Sequence, residues 1–278
     1  LYFPGANLQN RILNGPLADP SCPDHLDGAG INLSNSTLQY WDLRKQNLLT
    51  WSLQSIGLMF SDASGTTLAG NFSGKSVGLN KFVASDLRGS IFESANLSMN
   101  AFDSANAEYV SFDHAFSGEN TFKFANLSNA TFNGSNIQYS AFNSANLLTA
   151  SFEHAILTAD DFSGADLSGA DFTGSQLNQV NFSGADLSGA DFTSAQLVGV
   201  NFTGANLTGA IFTQAQLNQV NFSGAQINGA HFDTNAMNGV SNLDCSNDPS
   251  LRITSETGIG NSSLRNCIFS NTNLGTWN

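Results

Sequence analysis

The feature that most constrains this chain is a phenylalanine at every tenth position from Phe72 to Phe232, in an unbroken series. Large apolar residues such as Leu97, Leu127 and Leu167 occupy most midpoints, so a large apolar residue recurs every five residues. Neither an α-helix, with about 3.6 residues per turn, nor a plain strand, with its alternating faces, produces that period. Each five-residue segment is therefore predicted to form one flat side of a coil, followed by a corner.

The residues around each large one follow a fixed order. A small residue lies two positions before it, Asp or Asn directly before it, and Ser or Thr, often with Gly, after it. Positions two apart on an extended segment point the same way, so Ala165 and Leu167 are predicted to point inward and Asp166 outward. Glycines after the large residue are expected at the corners, with positive φ. They include Gly164, Gly169 and Gly184.

A longer period sets the number of sides. Residues 172–191 and 212–231 are identical at 14 of 20 positions, which indicates a coil of 20 residues with four sides. Phenylalanines then lie on two opposite sides and leucines on the other two. A triangular coil of 15 residues would mix them.

The pattern small–Asp/Asn–Leu/Phe–Ser/Thr–Gly, from about Ile31 to Met237, closely resembles the pentapeptide-repeat family. That resemblance implies an all-β fold, a right-handed four-sided parallel β-helix with about ten coils. It specifies the fold and leaves the function open, because members have many roles.

Changes in composition and register predict four segments. The spacing between the large residues is one residue shorter from Leu68 to Phe72, where the coil must adjust. Four of the five prolines precede residue 30. The predicted segments are an irregular Pro-rich arm at 1–30, the solenoid at 31–243, an inserted loop at 244–263 and a terminal coil at 264–278.

The formal charge is −13, and no Lys or Arg lies between Phe124 and Leu251. Such a surface repels nucleic acid and attracts basic proteins or cations, although ordinary solubility is an alternative explanation. An acidic interaction face is predicted at Asp161, Asp166, Asp171, Asp186 and Asp191. Calcium needs about six to eight clustered oxygens. The aspartates are expected to form solvated ladders instead, so no metal and no cofactor is predicted.

The polar residue Asp160 falls in an inward position of the register. Its column contains Asn80, Asn100, Asn120 and Ser140. Stacked Asn side chains can hydrogen-bond along the axis. Asp160 is therefore predicted to be a buried carboxylate with a raised pKa. A local slip that turns Ala159 inward is the alternative.

Cys245 and Cys267 bracket a polar segment and are predicted to close it with a disulfide, whereas two unrelated buried thiols are the alternative. No role is assigned to Cys22. The sequence begins at Leu1 rather than Met, as cleavage of an export signal or trimming of the chain would explain. An extracellular or cell-surface location is expected, with the periplasm as a variant. No apolar run approaches the length of about 20 residues that spans a membrane.

The four histidines are scattered, and neither a nucleophile elbow nor a phosphate-binding glycine loop accompanies them. The chain is therefore predicted not to be an enzyme. A solenoid exposes sheet edges at its ends, and no amphipathic capping helix is evident. The first hypothesis is a structural rod that associates end to end with copies of itself, into a fibre or a surface assembly.

An apolar N-terminal arm could supply a strand to the neighbouring copy. Its residues include Leu1, Tyr2, Phe3, Ala6, Asn7 and Leu8. Alternatively, the arm folds back on its own first coil. A second hypothesis is an acidic scaffold for a protein partner. A third role, implied by the resemblance, is DNA mimicry that inhibits DNA gyrase. Basic residues from Arg44 to Lys123 and the lack of a C-terminal dimerising helix count against it.

Overall fold

The structure is a computed structural model, and it describes residues 12–14, 32–44, 53–246, 252–255, 264–266 and 268–269. Within those ranges the regular secondary structure consists of β-strands. The chain divides into two compact units, Leu1–Asn136 and Ile137–Asn278.

The strands are short because each one is part of a single side of a coil. Those of unit 1 are β1 (Ile12–Asn14), β2 (Thr37–Gln39), β3 (Gly57–Met59), β4 (Ser76–Gly78), β5 (Asn96–Ser98) and β6 (Phe116–Gly118). Strand β7 (Asn136–Gln138) lies at the division. Those of unit 2 are β8 (Ile156–Thr158), β9 (Gln176–Asn178), β10 (Gln196–Val198), β11 (Gln216–Asn218), β12 (Phe232–Asn238), β13 (Leu243–Asp244), β14 (Arg252–Ser255), β15 (Leu264–Arg265) and β16 (Ile268–Phe269).

In unit 1 the strands β1 to β6 pair in parallel, each with the next. Asn71 pairs with Ile91, twenty residues later in the chain. The separation between Leu58 and its partner Val77 is one residue shorter. The predicted adjustment between Leu68 and Phe72 is thereby confirmed, because one side loses a residue there.

In unit 2, from Ala141 to His231, each coil pairs with the next at four places. Three are single backbone bridges, for example Asp161 with Asn181, and the fourth is a strand pair such as β9 with β10. Near the C-terminal end β13 pairs with β15, while β12 pairs with β14 and β14 with β16. Four pairings per twenty residues confirm the four-sided parallel solenoid.

The phenylalanines form stacks inside each unit. In unit 2, Phe172 and Phe192 stack with ring centroids 4.9 Å apart, and Phe172 meets Phe182 of the opposite stack edge-on at 5.6 Å. In unit 1, Phe72 and Phe92 stack at 4.7 Å. Parallel stacking with edge contacts between stacks suits the charge distribution of aromatic rings. The two opposite phenylalanine columns predicted from the sequence are confirmed.

The corners adopt left-handed backbone conformations. Gly164, Gly169 and Gly184 all have φ of 65° there, as predicted. Other corners hold residues with a side chain, such as His154 at 56° and Gln179 at 55°. Glycine therefore marks some corners, but the coil does not require it.

The predicted segment boundaries at residues 30, 243 and 263 stay predictions. The residues around 30 and 263 lie outside the described ranges. The pairing of Leu243 with Leu264 shows that the backbone returns to the coil after the segment predicted to be a loop.

Candidate functional site

The five aspartates predicted to share one acidic interaction face lie in three columns of unit 2. The backbone bridges join Asp161 with Asn181, Asp166 with Asp186, and Asp171 with Asp191. Since residues five apart belong to successive sides of a coil, the three columns lie on three different sides. The prediction of a single face is therefore wrong. The two carboxylate ladders, in the second and third columns, are confirmed.

The aspartates also stabilise the coil. Asp166 Oδ1 accepts a hydrogen bond from the backbone N–H of Ser168 at 3.1 Å, and Asn201 Oδ1 accepts one from Thr203 at 3.1 Å. Asp and Asn share the side-chain oxygen that this turn requires. Coil geometry thus explains the Asp or Asn before each large residue, and a binding role for these aspartates stays a prediction.

Within the described ranges, no group of three or more His, Cys, Asp or Glu side chains is arranged to hold a metal ion. The same part of the chain contains no helix with the length and apolar character of a membrane span.

Three buried asparagines form a hydrogen-bonded column in unit 1. Asn80 Nδ2 donates to Asn100 Oδ1 at 3.0 Å and to the Leu58 carbonyl at 2.8 Å. Asn100 Nδ2 in turn donates to Asn120 Oδ1 at 3.0 Å. The predicted stacking along the axis is confirmed, and these satisfied amides are part of the core rather than a binding site.

Asp160 is a buried carboxylate in unit 2, with 1% of its surface exposed. Its Oδ1 accepts the N–H of Ser140 at 2.7 Å, and its Oδ2 accepts the N–H of Thr158 at 2.9 Å. Burial outweighs these two hydrogen bonds and raises the pKa of Asp160 to about 7. The predicted inward position and the raised pKa are confirmed, and Ala159 is a corner residue with φ of 55°.

Cys245 is buried and disulfide-bonded. Its N–H donates to the carbonyl of Arg265 at 2.9 Å. Cys267 and Cys22 lie outside the described residues, so the pairing of Cys245 with Cys267 stays a prediction.

The assembly residues of the arm also lie outside the described part: Leu1, Tyr2, Phe3, Ala6, Asn7 and Leu8. The later part of the predicted arm does fold back on the chain's own first coil, because Ile12–Asn14 pairs in parallel with Thr37–Gln39.

Four bulky apolar residues occupy one corner column of unit 1, and we call them the corner ridge: Tyr40, Phe60, Leu79 and Met99, with φ of 59°, 52°, 58° and 54°. Phe60, Leu79 and Met99 are 37%, 44% and 50% exposed. The ring of Tyr40 stacks on Phe60 at 4.8 Å. Bulky side chains rarely adopt positive φ, because Cβ crowds the backbone there. The ridge therefore combines backbone strain with exposed apolar surface.

A groove of about 270 Å³ runs beside the ridge. We call it the ridge groove. Its walls are Asp42, Arg44, Phe60, Ser61, Asp62, Leu79 and Lys81. Charged side chains thus face the apolar side chains of two ridge residues.

The corner ridge was not among the features predicted from the sequence. Its residues follow the inward Leu38, Leu58, Val77 and Leu97 by two positions, which the repeat places at a corner. A search for large apolar residues at that position, rather than for glycines, would have found them.

Comparisons with known proteins support the repeat architecture. A family model described as a pentapeptide repeat region matches residues 115–182 and 161–232. The crystal structure of HetL, a pentapeptide repeat protein involved in heterocyst differentiation regulation from the cyanobacterium Nostoc sp. strain PCC 7120, is 22% identical. It has a TM-score of 0.57, and the alignment covers 86% of this chain and 88% of HetL.

A trypsin-treated form of QnrB1, a plasmid-mediated fluoroquinolone resistance protein, is also 22% identical. Its TM-score is 0.51, with 62% of this chain and 91% of that chain covered. Identities this low carry the fold alone. No curated protein sequence matches the chain.

Proposed function

We propose that this chain, which belongs to the pentapeptide-repeat family, is a non-catalytic scaffold that binds a protein partner through the corner ridge of unit 1. The observation that carries the proposal is the ridge itself. Corners with positive φ occur throughout the coil, but at the ridge bulky apolar side chains follow one another on successive coils, so their exposed surfaces are contiguous. In unit 2 the same repeat position holds Tyr139 and Ala159 in the first coils and Gln179, Gly199 and Gln219 in the later ones. The coil can therefore close without an apolar corner.

The exposed parts of the ridge side chains do not contribute to the core of the solenoid. Leu79 and Met99 are about half exposed, and their N–H groups donate to the carbonyls of Ser98 and Gly118 whatever the side chain. Contiguous exposed apolar residues are typical of interaction sites. The ridge is therefore best explained by a partner that covers it.

Replacing the ridge residues tests this function. In the double variant Leu79→Gln with Met99→Gln, we expect the free energy of unfolding to change by about 1 kcal/mol or less, since Gln keeps the aliphatic stem. Short random peptides displayed on phage are selected on the wild-type protein and counter-selected on this variant. We expect enriched sequences that bind the wild type at least tenfold more tightly than the variant.

The matched control carries the same change on other corners of unit 1. Tyr109 and Phe124 are 69% and 68% exposed, with φ of 60° and 58°. The control variant Tyr109→Gln with Phe124→Gln should bind the selected peptides as the wild type does. Peptides that bind all three proteins equally would refute the proposal.

Self-association is a second candidate function, supported by the edge of β1. Among the described strands β1 pairs with β2 alone, and a strand from another copy that paired with β1 would extend the sheet. We expect scattering mass to rise with concentration for the full chain and to stay constant for a chain lacking residues 1–8. A constant mass for both chains would rule out donation by the arm.

We also propose an exported protein, at the cell surface or outside the cell. The disulfide at Cys245 supports this location, because disulfides persist in oxidising compartments. Inhibition of DNA gyrase remains the alternative within the interaction role. It predicts that the purified chain blocks supercoiling by gyrase, and it requires a reducing compartment, which the disulfide does not favour.

A further inference from the structure

The ridge groove brings apolar and charged side chains together on one surface of unit 1. Phe60 and Leu79 form its apolar wall, and Asp42, Arg44, Asp62 and Lys81 form its charged wall. Its volume of about 270 Å³ is enough for one or two side chains rather than a folded domain. A ligand here must therefore present a small apolar group close to a polar one.

Three of the four charged groups are already engaged with one another. Arg44 Nη2 lies 2.7 Å from Asp42 Oδ2, and its Nε lies 2.9 Å from Asp42 Oδ1. The same Nε lies 3.8 Å from Asp62 Oδ2. Asp62 Oδ1 also accepts the N–H of Ser64 at 3.0 Å. Both carboxylates of the groove thus contact Arg44, and Asp62 also accepts a backbone N–H.

Lys81 is the cation that remains. It is exposed, and no carboxylate of the described residues lies within 4.0 Å of its ammonium group. It is next to Asp62 in the backbone ladder, but Asp62 is directed to Arg44 and Ser64. The two carboxylates and two cations of the groove balance in number, but Lys81 is the one whose charge has no ion-pair partner within 4.0 Å among the described residues, and it lies beside an apolar wall.

We propose that the ridge groove binds a protein segment that places an apolar side chain against Phe60 and Leu79 and a carboxylate on Lys81. This inference rests on the proposed function, since it specifies the partner of the same surface. Asp42 and Asp62 line the groove and would repel the phosphates of an anionic membrane or of a nucleic acid. A single carboxylate carries one charge rather than many, so Lys81 can pair with it while the repulsion by Asp42 and Asp62 stays smaller than for a polyanion.

Fluorescence titration with defined probes tests the inference. Anilinonaphthalene sulfonate combines aromatic rings with an anion, and phenylnaphthylamine has the same rings without the anion. We expect Lys81→Gln to weaken binding of the sulfonate about threefold to fivefold and to leave the neutral probe unchanged. Leu79→Gln should weaken both probes about tenfold. Lys123→Gln, an exposed lysine outside the groove, is the matched control and should change neither.

Peptides that displace the sulfonate extend the test to the partner. They alternate leucine and serine and differ in one flanking residue, Asp, Asn or Lys. We expect the Asp peptide to bind about threefold to fivefold more tightly than the Asn peptide, the Lys peptide to bind most weakly, and Lys81→Gln to abolish this order. An order that persists in Lys81→Gln would overturn the inference, although the proposed function would stand.

Two further outcomes are decisive. If the Leu79→Gln and Met99→Gln variant binds every peptide as well as the wild type, the proposed function fails together with the inference. If the wild type binds phosphatidylglycerol vesicles and the same variant does not, the surface binds a membrane, and the inference is overturned.

Discussion

Replacing Phe192 by alanine should lower the free energy of unfolding of unit 2 by about 4 kcal/mol. The ring of Phe192 is fully buried and stacks between Phe172 and Phe212, with both centroid distances at 4.9 Å. It also meets Phe182 and Phe202 edge-on, at 6.2 and 5.7 Å. Neighbouring coils fix these rings, so the cavity cannot collapse fully, and the loss includes four aromatic contacts as well as the transfer of the ring.

The effect should also be local. In a solenoid each coil contacts only its neighbours, so stability is close to a sum of coil and interface contributions. Hydrogen exchange measured by mass spectrometry should show faster exchange around residues 172–212 than elsewhere in unit 2. Urea titration of the same variant gives the total loss.

Val198→Ala is the matched control in the same coil. Val198 ends β10, points outward and is 39% exposed, so its truncation should cost well under about 1 kcal/mol. Phe192→Leu keeps a large apolar group, so its loss in the free energy of unfolding should lie between those of Val198→Ala and Phe192→Ala. A loss below about 1 kcal/mol for Phe192→Ala, or exchange that rises evenly through unit 2, would contradict the stack as the main stabilising element.

Much of this architecture could be predicted because every repeat must place a side chain in the core. An inward side chain every five residues fixes which positions are buried, and the register placed even Asn80 and Asp160 inside correctly. The adjustment after Leu68 was visible for the same reason, since a missing residue displaces every later inward position. These predictions needed the period alone.

The surface could not be read in the same way. The core period leaves the outward residues free, so it does not show which acidic residues share a surface, and Asp161, Asp166 and Asp171 occupy three sides. Residues five apart never share a side, and that rule would have prevented the error. The corner ridge was missed because glycine is the usual signal of positive φ. Leu79 and Met99 adopt it without glycine.

The pH dependence of stability should identify Asp160. An unfolded carboxyl has a pKa near 3.8, and burial raises the pKa of Asp160 to about 7 in the folded state. Below the unfolded value both states are protonated, and Asp160 has no effect. Between the two values the unfolded state loses its proton first, so stability falls as pH rises, and it levels off above about 7. The loss approaches about 4 kcal/mol.

The variant Asp160→Asn removes this loss. Its amide oxygen can still accept the N–H of Ser140, as Asn100 accepts that of Asn80 in unit 1 at 3.1 Å. We expect the variant to match the wild type near the unfolded pKa, to become increasingly more stable as pH rises, and to reach its full advantage above about pH 7. Urea titrations across that range measure the difference between the two proteins.

The adjacent residue provides a control of opposite sign. Burial of Asp161 is outweighed by hydrogen bonds from Asn143, Ser163 and Asn181, so the pKa of Asp161 is lowered. Its ionised form therefore stabilises the fold above the unfolded pKa, and that contribution is lost as pH falls through the folded pKa. Asp161→Asn should consequently lose stability relative to the wild type at neutral pH, where Asp160→Asn gains it. Parallel pH profiles for the two variants would show that the inward and outward positions do not determine these ionisations.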